Sequence, residues 1–262
     1  MAPMDQVSRV VTLATLCIEV AGPKPWLDEL SRRWGPRFVW SERPPQSSCI
    51  PVVLLVAMGS DAAPKTAREL YRRGDLMVTS IDGGSERFIA YVNGSFGSIE
   101  ASIQVVLQRL LRERRGLLVH ASAGVYQGEA WLIPGPSGAG KSTAARGGFD
   151  LVLSDELVAL TLDPEPTLWG TPFWSEGRDE GRFPLTSERA PLNAITFPVK
   201  GARPALTPLS AVEGARRLTR CVTSYEGAEE SGALFLIACE LTERTPAFSL
   251  TFPKGGAWRA EL

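Results

Sequence analysis

The amino-acid sequence predicts a mixed α/β fold of the α+β kind, with a mixed sheet and accompanying helices. Short apolar runs bounded by Gly, Pro, Asn and Asp recur along the chain, as expected for strands and turns. An amphipathic segment near the middle has helical spacing, and a Gly-rich stretch joins a buried strand to a helix. With 262 residues, 44% hydrophobic and 22% charged, the chain can bury a large core in one or two domains.

The first part of the chain, residues 1–97, is predicted to form a small α/β lobe. A helix that ends at Gly35 and a hairpin turn at Asp82, Gly83 and Gly84 support this prediction. We predict strands at 10–20, 51–58, 76–81 and 87–92, a helix at 26–34, and a Pro- and Ser-rich surface loop at 43–48.

An amphipathic helix follows, and we place the start of a second domain, residues 98–262, at this helix. Its apolar face contains Ile99, Ile103, Val106, Leu107, Leu110 and Leu111. Ser98 is expected to cap its start, and Gly116 to end it. The arginines at 112, 114 and 115 suit the helix dipole, and two roles stay open for them: a solvated helix end or an anion site.

The second domain is expected to contain a mixed rather than an all-parallel sheet, because residues 116–134 resemble a hairpin and not a crossover. Ser210 and Glu213 form a capping-box pattern that predicts a helix start. We predict strands at 116–121, 124–126, 129–134, 151–153, 157–162, 168–173, 194–199 and 248–252, and helices at 142–146, 210–222 and 231–244. The polar segment 175–189 is a candidate lid.

The most informative motif is a full match to the phosphate-binding loop (P-loop) pattern G-x-x-x-x-G-K-[ST]. The matching residues are Gly135, Pro136, Ser137, Gly138, Ala139, Gly140, Lys141, Ser142 and Thr143. Glycines allow backbone N–H groups to turn toward an anion, the lysine reaches the terminal phosphates, and the hydroxyl after it can ligate Mg²⁺. A buried strand before the loop and a helix after it provide the context that the motif requires. The sequence therefore predicts nucleotide binding.

Two further features stand near this loop in the sequence. Asp155 and Glu156 end an apolar strand fourteen residues after Lys141, where carboxylates can serve a metal and accept a hydroxyl proton. Strand alternation would send neighbouring side chains to opposite faces, so the two acids can share a site only if the backbone is irregular there. His120, the single histidine, ends another apolar run; by itself it fits a structural role at least as well as a catalytic one.

Composition narrows the classes of function. A net charge of −1 gives no broad nucleic-acid surface, and no apolar run approaches the ~20 residues of a membrane span. The apolar segment 10–18 lacks a basic flank, and we interpret it as a strand rather than a signal peptide. Four widely spaced cysteines predict reduced thiols and a cytoplasmic location, and a single histidine argues against a zinc site.

The order of these features resembles the catalytic core of the HPr kinase/phosphorylase family, especially its divergent members, and more distantly the ATP-dependent phosphoenolpyruvate carboxykinases. The shared order is His120-Ala-Ser, a hairpin, the P-loop and an acidic pair. Further matching segments are Thr171-Pro172-Phe173, 190–195, 208–211 and 233–253, so that the resemblance covers about residues 116–262. It implies an HPr-kinase-like P-loop core that follows the small lobe.

The resemblance also implies roles for individual residues. The loop from Gly135 to Thr143 would hold the phosphates of ATP, with Lys141 acting on the transferred group. Asp155 would be the base toward a serine hydroxyl, Ser142 and Glu156 would hold Mg²⁺, and His120 would position the acidic centre or the phosphoryl group. The expected activity is therefore ATP-dependent transfer of the γ-phosphate to a hydroxyl, first of all a serine, on a protein, peptide or small molecule.

Other features of the sequence depart from the family pattern. The arginine- and glycine-rich signature of the true HPr kinases is missing, so neither phosphorylase activity nor HPr itself as the acceptor is expected. The helix after the loop is interrupted by Gly147 and Gly148, which keeps open a second hypothesis: a nucleotide-binding regulatory or scaffold protein without turnover. A metabolite enzyme, either carboxykinase-like or a free-serine kinase, is a third hypothesis, and a P-loop hydrolase has no supporting motif.

Several points stay open at the level of sequence. Neither the acceptor nor the choice between ATP and GTP is marked, and a homo-oligomer is one of the open oligomeric states. Three arginines in the candidate lid, Arg178, Arg182 and Arg189, are candidates for contacting phosphate, as an arginine finger does.

Overall fold

A computed structural model describes residues 5–41, 50–60, 64–81, 86–174 and 186–253. The chain divides into two compact units, Met1–Leu110 and Leu111–Leu262. Each unit contains one mixed β-sheet, and five helices accompany the two sheets in the described residues, so that the predicted mixed α/β fold is confirmed. The division falls near the end of the amphipathic helix, whereas the sequence placed a boundary before that helix.

The first unit contains a seven-stranded sheet in the order β3-β1-β2-β4-β7-β6-β5. Its elements are β1 Gln6–Leu13, β2 Leu16–Pro23, α1 Lys24–Trp34, β3 Trp40–Ser41, β4 Val52–Ala57, β5 Ala67–Arg73, β6 Leu76–Ile81, β7 Arg87–Val92 and α2 Phe96–Glu113. The central pairs β2–β4 and β4–β7 are parallel, and the remaining pairs are antiparallel. The antiparallel pairing of β6 with β7 confirms the predicted hairpin.

One strand prediction in this unit is wrong, and one strand was not predicted. Residues 10–20 were expected to form one strand, but the chain reverses at Ala14, whose φ is +53°, and forms the hairpin β1–β2. The strand β5 was not predicted, since four of its seven residues are charged and it lies at the sheet edge. The predicted loop at 43–48 and turn at 82–84 lie outside the described residues.

The helix α2 begins earlier than predicted. Its N-terminal turn is held by Ser95, whose hydroxyl accepts a hydrogen bond from the backbone N–H of Ser98 at 3.3 Å. The backbone carbonyl of Ser95 also accepts from the N–H of Ile99 at 3.1 Å. The predicted cap at Ser98 is therefore wrong by three residues, because an earlier serine can satisfy the same free N–H groups.

The second unit contains an eight-stranded sheet in the order β10-β8-β11-β12-β13-β15-β14, with β9 between β8 and β13. Its elements are β8 Gly116–Tyr126, β9 Glu129–Pro134, α3 Lys141–Gly148, β10 Leu151–Ser154, β11 Leu157–Thr161, β12 Thr167–Trp169, β13 Arg189–Lys200, β14 Ala205–Leu209, α4 Ala211–Thr219, α5 Ala228–Arg244 and β15 Ala247–Phe252. β9 is antiparallel to β8 and parallel to β13, which confirms the predicted hairpin and mixed sheet.

The long strands β8 and β13 organise this sheet. The first half of β8 pairs with β11 and its second half with β9, so the two short strands predicted at 116–121 and 124–126 are one strand. β13 pairs in succession with β12, β9 and β15. The path β8-β11-β12-β13-β9 therefore returns to β8, so that these five strands form a closed circuit of pairs.

Hydrophobic burial fixes β9 from both sides. Ala130 and Leu132 belong to one core cluster, which includes the inner faces of α4 and α5. Trp131 and Ile133 belong to a second cluster, which includes Ala144 of α3. Alternate residues of a strand point to opposite faces, so β9 is a strand covered on both faces, and the loop that follows it starts from a rigid support.

The two C-terminal helices have well-defined starts. The Ser210 hydroxyl accepts a hydrogen bond from the Glu213 backbone N–H at 3.2 Å, which confirms the predicted cap of α4. At α5, which begins at Ala228 rather than at residue 231, the buried Glu230 carboxylate accepts from the N–H groups of Tyr225 and Glu226 at 2.6 and 2.7 Å.

Among the described residues, no helix combines the length and apolar character that a membrane crossing requires.

Candidate functional site

The Gly-rich loop, residues 135–140, connects the end of β9 directly to the start of α3. Two of its glycines have positive φ values, +76° for Gly138 and +103° for Gly140. This conformation is open to glycine and strained for other residues. The loop therefore brings the N-terminus of α3, with its first N–H groups, next to the C-terminal end of the rigid strand β9.

Lys141, the first residue of α3, turns back over this loop. Its side chain is buried, and its Nζ donates a hydrogen bond to the Pro136 carbonyl at 3.2 Å. Burial lowers the pKa of Lys141, and the nearby carboxylates of Glu156 and Asp155 oppose that shift. The lysine and both acids, which come from separate segments, therefore lie within electrostatic reach of one another.

Asp155 and Glu156 lie between β10 and β11, where the strand is interrupted. The pairing of β10 with β8 shifts by one residue between Val152 and Ser154, and the two acids themselves lie outside the strands. This is the irregular backbone that two adjacent acids need in order to share a face.

Both acids meet the same face of β8. The Ser122 hydroxyl donates to Asp155 Oδ1 at 2.6 Å, and His120 Nε2 lies 2.9 Å from Glu156 Oε1. His120 and Ser122 are two residues apart on one strand, so their side chains point to the same side. The structure thus brings His120, Asp155 and Glu156 together and adds Ser122.

The two carboxylates have different environments. Asp155 is 7% exposed, whereas the side chain of Glu156 is 38% exposed. The hydrogen bond from His120, together with the charges of His120 and Lys141, lowers the pKa of Glu156, against the effect of partial burial. Glu156 is therefore ionised at neutral pH and open enough to meet a cation.

The backbone of His120 joins three parts of the site. Its carbonyl accepts from the N–H of Gly135 at 3.2 Å, and its N–H donates to the carbonyl of Cys221 at 2.7 Å. Val222 forms an isolated antiparallel bridge with Val119, so residues 221–223 occupy the side of β8 that β9 leaves when it enters the loop. The loop, the histidine and the segment after α4 are fixed to one another.

Two buried hydroxyl groups hold the backbone directly after the acidic pair. The hydroxyls of Ser154 and Thr171 both donate to the carbonyl of Leu157, the residue after Glu156, the first at 2.7 Å. Both side chains are buried, with exposures of 0% and 1%. The sequence analysis gave no role to Ser122, although this residue belongs to the matched His120-Ala-Ser segment, and it did not identify Ser154. The signal that could have assigned Ser122 is its spacing of two residues from His120.

Other predicted residues have different outcomes. Arg189 begins β13 and lies over the ring of Trp169 at 5.1 Å, while Arg178 and Arg182 lie outside the described residues. At the end of α2, Arg112 faces Glu226 at 3.5 Å, and Arg115 forms an ion pair with Asp163 at 3.0 Å. Of the two roles left open for this cluster, these contacts favour a helix end neutralised by acids over an anion site.

The side-chain donors of the site limit the kind of metal ion that it could hold. Within the described part of the chain, no group of three or more His, Cys, Asp and Glu side chains could hold a metal ion. Mg²⁺ differs from metals held in all-protein cages, since it uses one or two carboxylates together with phosphates and water. The hydroxyl of Ser142 and the ionised carboxylate of Glu156 fit that pattern.

Comparison with known proteins assigns no family. No protein-family model matches the chain, and no curated protein matches it. The interpretation of the site therefore depends on its motif, its contacts and its charges.

Proposed function

We propose that the chain is an ATP-dependent kinase related to the HPr kinases, with residues 135–143 as its P-loop. It transfers the γ-phosphate to a hydroxyl, in the first instance a serine, of a protein, peptide or small molecule. Phosphorylase activity is not part of the proposal, since the sequence lacks the family signature associated with it.

One observation carries the proposal: the two carboxylates are held by side chains of β8, the strand whose backbone is hydrogen-bonded to the start of the Gly-rich loop. His120 and Ser122 contact Glu156 and Asp155, and the His120 carbonyl accepts from the N–H of Gly135. The charges of both acids also oppose the lowering of the Lys141 pKa, so that the lysine lies within their electrostatic reach. Phosphoryl transfer needs positive charge at the phosphates and a carboxylate at the acceptor hydroxyl. A Gly-rich turn between two structural elements would not by itself require either acid to lie near the lysine.

The chemistry follows from these positions. The acceptor oxygen forms a bond to the γ-phosphorus, the bond to the bridging β-phosphate oxygen breaks, and the hydroxyl proton passes to Asp155. Lys141 leaves the Pro136 carbonyl to neutralise phosphate charge, and the first N–H groups of α3 bind the phosphate oxygens. His120 keeps the Glu156 carboxylate oriented and ionised. Bound Mg²⁺, held by Ser142 and Glu156, would supply further charge neutralisation.

A second candidate function is a nucleotide-binding regulatory or scaffold protein without turnover. The observation that favours it is the shortness of α3, which has eight residues and ends at Gly148. This candidate predicts MgATP binding that depends on Lys141 and no transfer to any acceptor.

Calorimetric titration with MgATP, together with transfer of ³²P to a pool of serine peptides and to free serine, tests the proposal. We expect Lys141→Ala to weaken MgATP binding at least tenfold, about 1.4 kcal/mol, because the loop loses its cation. Lys200→Ala, which changes an exposed lysine on β13, is the matched control and should bind like the wild type.

The acceptor assay separates the two candidates. Binding with transfer supports the kinase, and the labelled acceptor identifies its class. Binding without transfer to any acceptor supports the regulatory protein instead. If Lys141→Ala binds MgATP as well as the wild type does, the loop has been misinterpreted and both candidates fail.

A further inference from the structure

The hydroxyl of Ser122 is the feature of the site that the proposed function has not yet used. It donates a hydrogen bond to Asp155 Oδ1 at 2.6 Å. Ser122 is 0% exposed and Asp155 is 7% exposed. A short, buried bond of this kind fixes the rotation of the carboxylate more firmly than an exposed contact would.

The bond leaves the two oxygens of Asp155 unequal. Oδ1 is occupied by the Ser122 hydroxyl, and Oδ2 is the oxygen left to take a proton from an acceptor. Ser122 itself is held in a strand that pairs on both sides, with Ile133 of β9 opposite it. Ser122 therefore fixes the position of the Asp155 carboxylate relative to β8 and β9, and the Gly-rich loop begins at the end of β9.

The partners of the two acids also differ in kind. A neutral hydroxyl holds Asp155, whereas a histidine holds Glu156, and both come from one face of β8. The buried acid therefore has a fixed orientation, and the other acid is the more exposed of the two. Under the proposed function, this difference suits Asp155 to accept the proton and Glu156 to face a cation.

We propose that Ser122 is a positioning residue for phosphoryl transfer: its hydroxyl orients Asp155 so that Oδ2 faces the acceptor hydroxyl. This inference rests on the proposed kinase function. It requires no contact between Ser122 and the nucleotide, because the serine acts only through the acid. Loss of orientation should therefore slow transfer and leave nucleotide binding unchanged.

Ser122→Ala in the full-length protein tests the proposal. We expect kcat for transfer to fall about 10- to 100-fold, with the Kd for MgATP unchanged within twofold. Ser122→Thr keeps the hydroxyl and should recover part of the rate. Ser102→Ala is the matched control, since the Ser102 hydroxyl is also buried and donates to a carbonyl at 2.7 Å, but on α2. It should lose a similar amount of stability and keep its kcat.

A double-mutant cycle with Asp155→Asn separates positioning from general destabilisation. If Ser122 acts through Asp155, Ser122→Ala has no further effect on the residual transfer of Asp155→Asn. Additive losses in the double variant, or a wild-type kcat in Ser122→Ala, overturn the role of Ser122 and leave the kinase proposal standing. If the wild type transfers phosphate to no acceptor, the kinase proposal fails, and the role of Ser122 fails with it.

Discussion

At the residue scale, Gly140 combines two constraints, one of backbone conformation and one of space. Its φ of +103° is strained for any residue with a Cβ, and a Cβ added there would lie 3.1 Å from Cζ of Phe252. Gly138 in the same loop has a φ of +76°, but an added Cβ would meet nothing within 4 Å. The pair therefore separates backbone strain from crowding.

We expect Gly140→Ala to destabilise the protein by about 1 to 3 kcal/mol and to weaken MgATP binding, because the start of α3 must shift. Gly138→Ala should cost about 1 kcal/mol, since it adds backbone strain alone. Urea unfolding and MgATP titration of the two variants check this. Equal losses for both would show that contact with Phe252 does not constrain the loop.

Other properties of single residues were predictable from the sequence to different degrees. Lys141 could be singled out because its motif is local, whereas a place for His120 beside the acidic pair was expected only from the family resemblance. The partner of Asp155 could not be anticipated, because Ser122 becomes its neighbour only through the antiparallel pairing of β8 with the β10–β11 segment. Nothing near Ser122 in the sequence specifies that pairing or the one-residue shift within it.

At the scale of elements, the contact between α1 and α2 contains a titratable group. Trp34 Nε1 on α1 donates to Glu100 Oε1 on α2 at 3.0 Å. Burial raises the pKa of Glu100 to about 7, against the lowering effects of this hydrogen bond and of the charge on Arg33. Folding therefore favours the protonated carboxyl, and its contribution to stability is present below pH 4.5 and lost as the pH rises through 7.

We expect the free energy of unfolding of the wild type to fall by about 1 to 3 kcal/mol between pH 4.5 and 7 through this group. In Glu100→Gln, which cannot ionise, that part of the pH dependence should be absent. Urea unfolding at a series of pH values, followed by tryptophan fluorescence, measures the difference between the two proteins. Parallel curves for both across this range would contradict the assignment.

Glu100→Gln isolates this effect because, among the described residues, the other carboxyls with shifted pKa values have pKa values below the usual range. The pKa values of Glu29 and Glu213 are lowered to about 2 by hydrogen bonds from neighbouring arginines. Their contributions appear above pH 4.5 and are lost as the pH falls toward 2, outside the window in which Glu100 acts. Salt screens such exposed pairs, so ionic strength is a further check.

Elements with strong periodicity were predictable, and those whose ends are set by pairing were not. The apolar stripe of α2 and the capping serine of α4 are local signals. The turn between β1 and β2 contains neither Gly nor Asn, and Ala14 adopts the positive φ instead. Because mostly apolar residues flank it on both sides, the sequence resembles one continuous strand. The strand β14 is half-exposed and contains Pro208, so it becomes recognisable only through its pairing with β15.

At the scale of the whole molecule, the candidate site lies entirely within the unit Leu111–Leu262. Its loop, its acids and β8 all belong to that unit, whereas Glu100 and the aromatic side chains around Trp34 belong to Met1–Leu110. A ligand that binds only the folded second unit adds stability to that unit, by about 2.7 kcal/mol at a concentration one hundred times Kd. The two units should then respond differently to nucleotide.

Hydrogen exchange of the full-length protein with and without MgATP measures this response segment by segment. We expect slower exchange at β8, at the loop with α3 and at the β10–β11 segment, since opening these elements would require release of the ligand. The β1–β2 hairpin and β6 should exchange at the same rate in both conditions. Lys141→Ala serves as the control and should show no protection from MgATP in any segment.

The exchange pattern also decides how the chain unfolds. If protection rises by the same amount in β1–β2 as in β8, the units open together, and the free energy of binding is shared by a single cooperative transition. If it rises only around the loop, the first unit contributes nothing to nucleotide affinity. The role of the first unit must then be sought elsewhere, and the acceptor assay repeated with substitutions in that unit would show whether it selects the substrate.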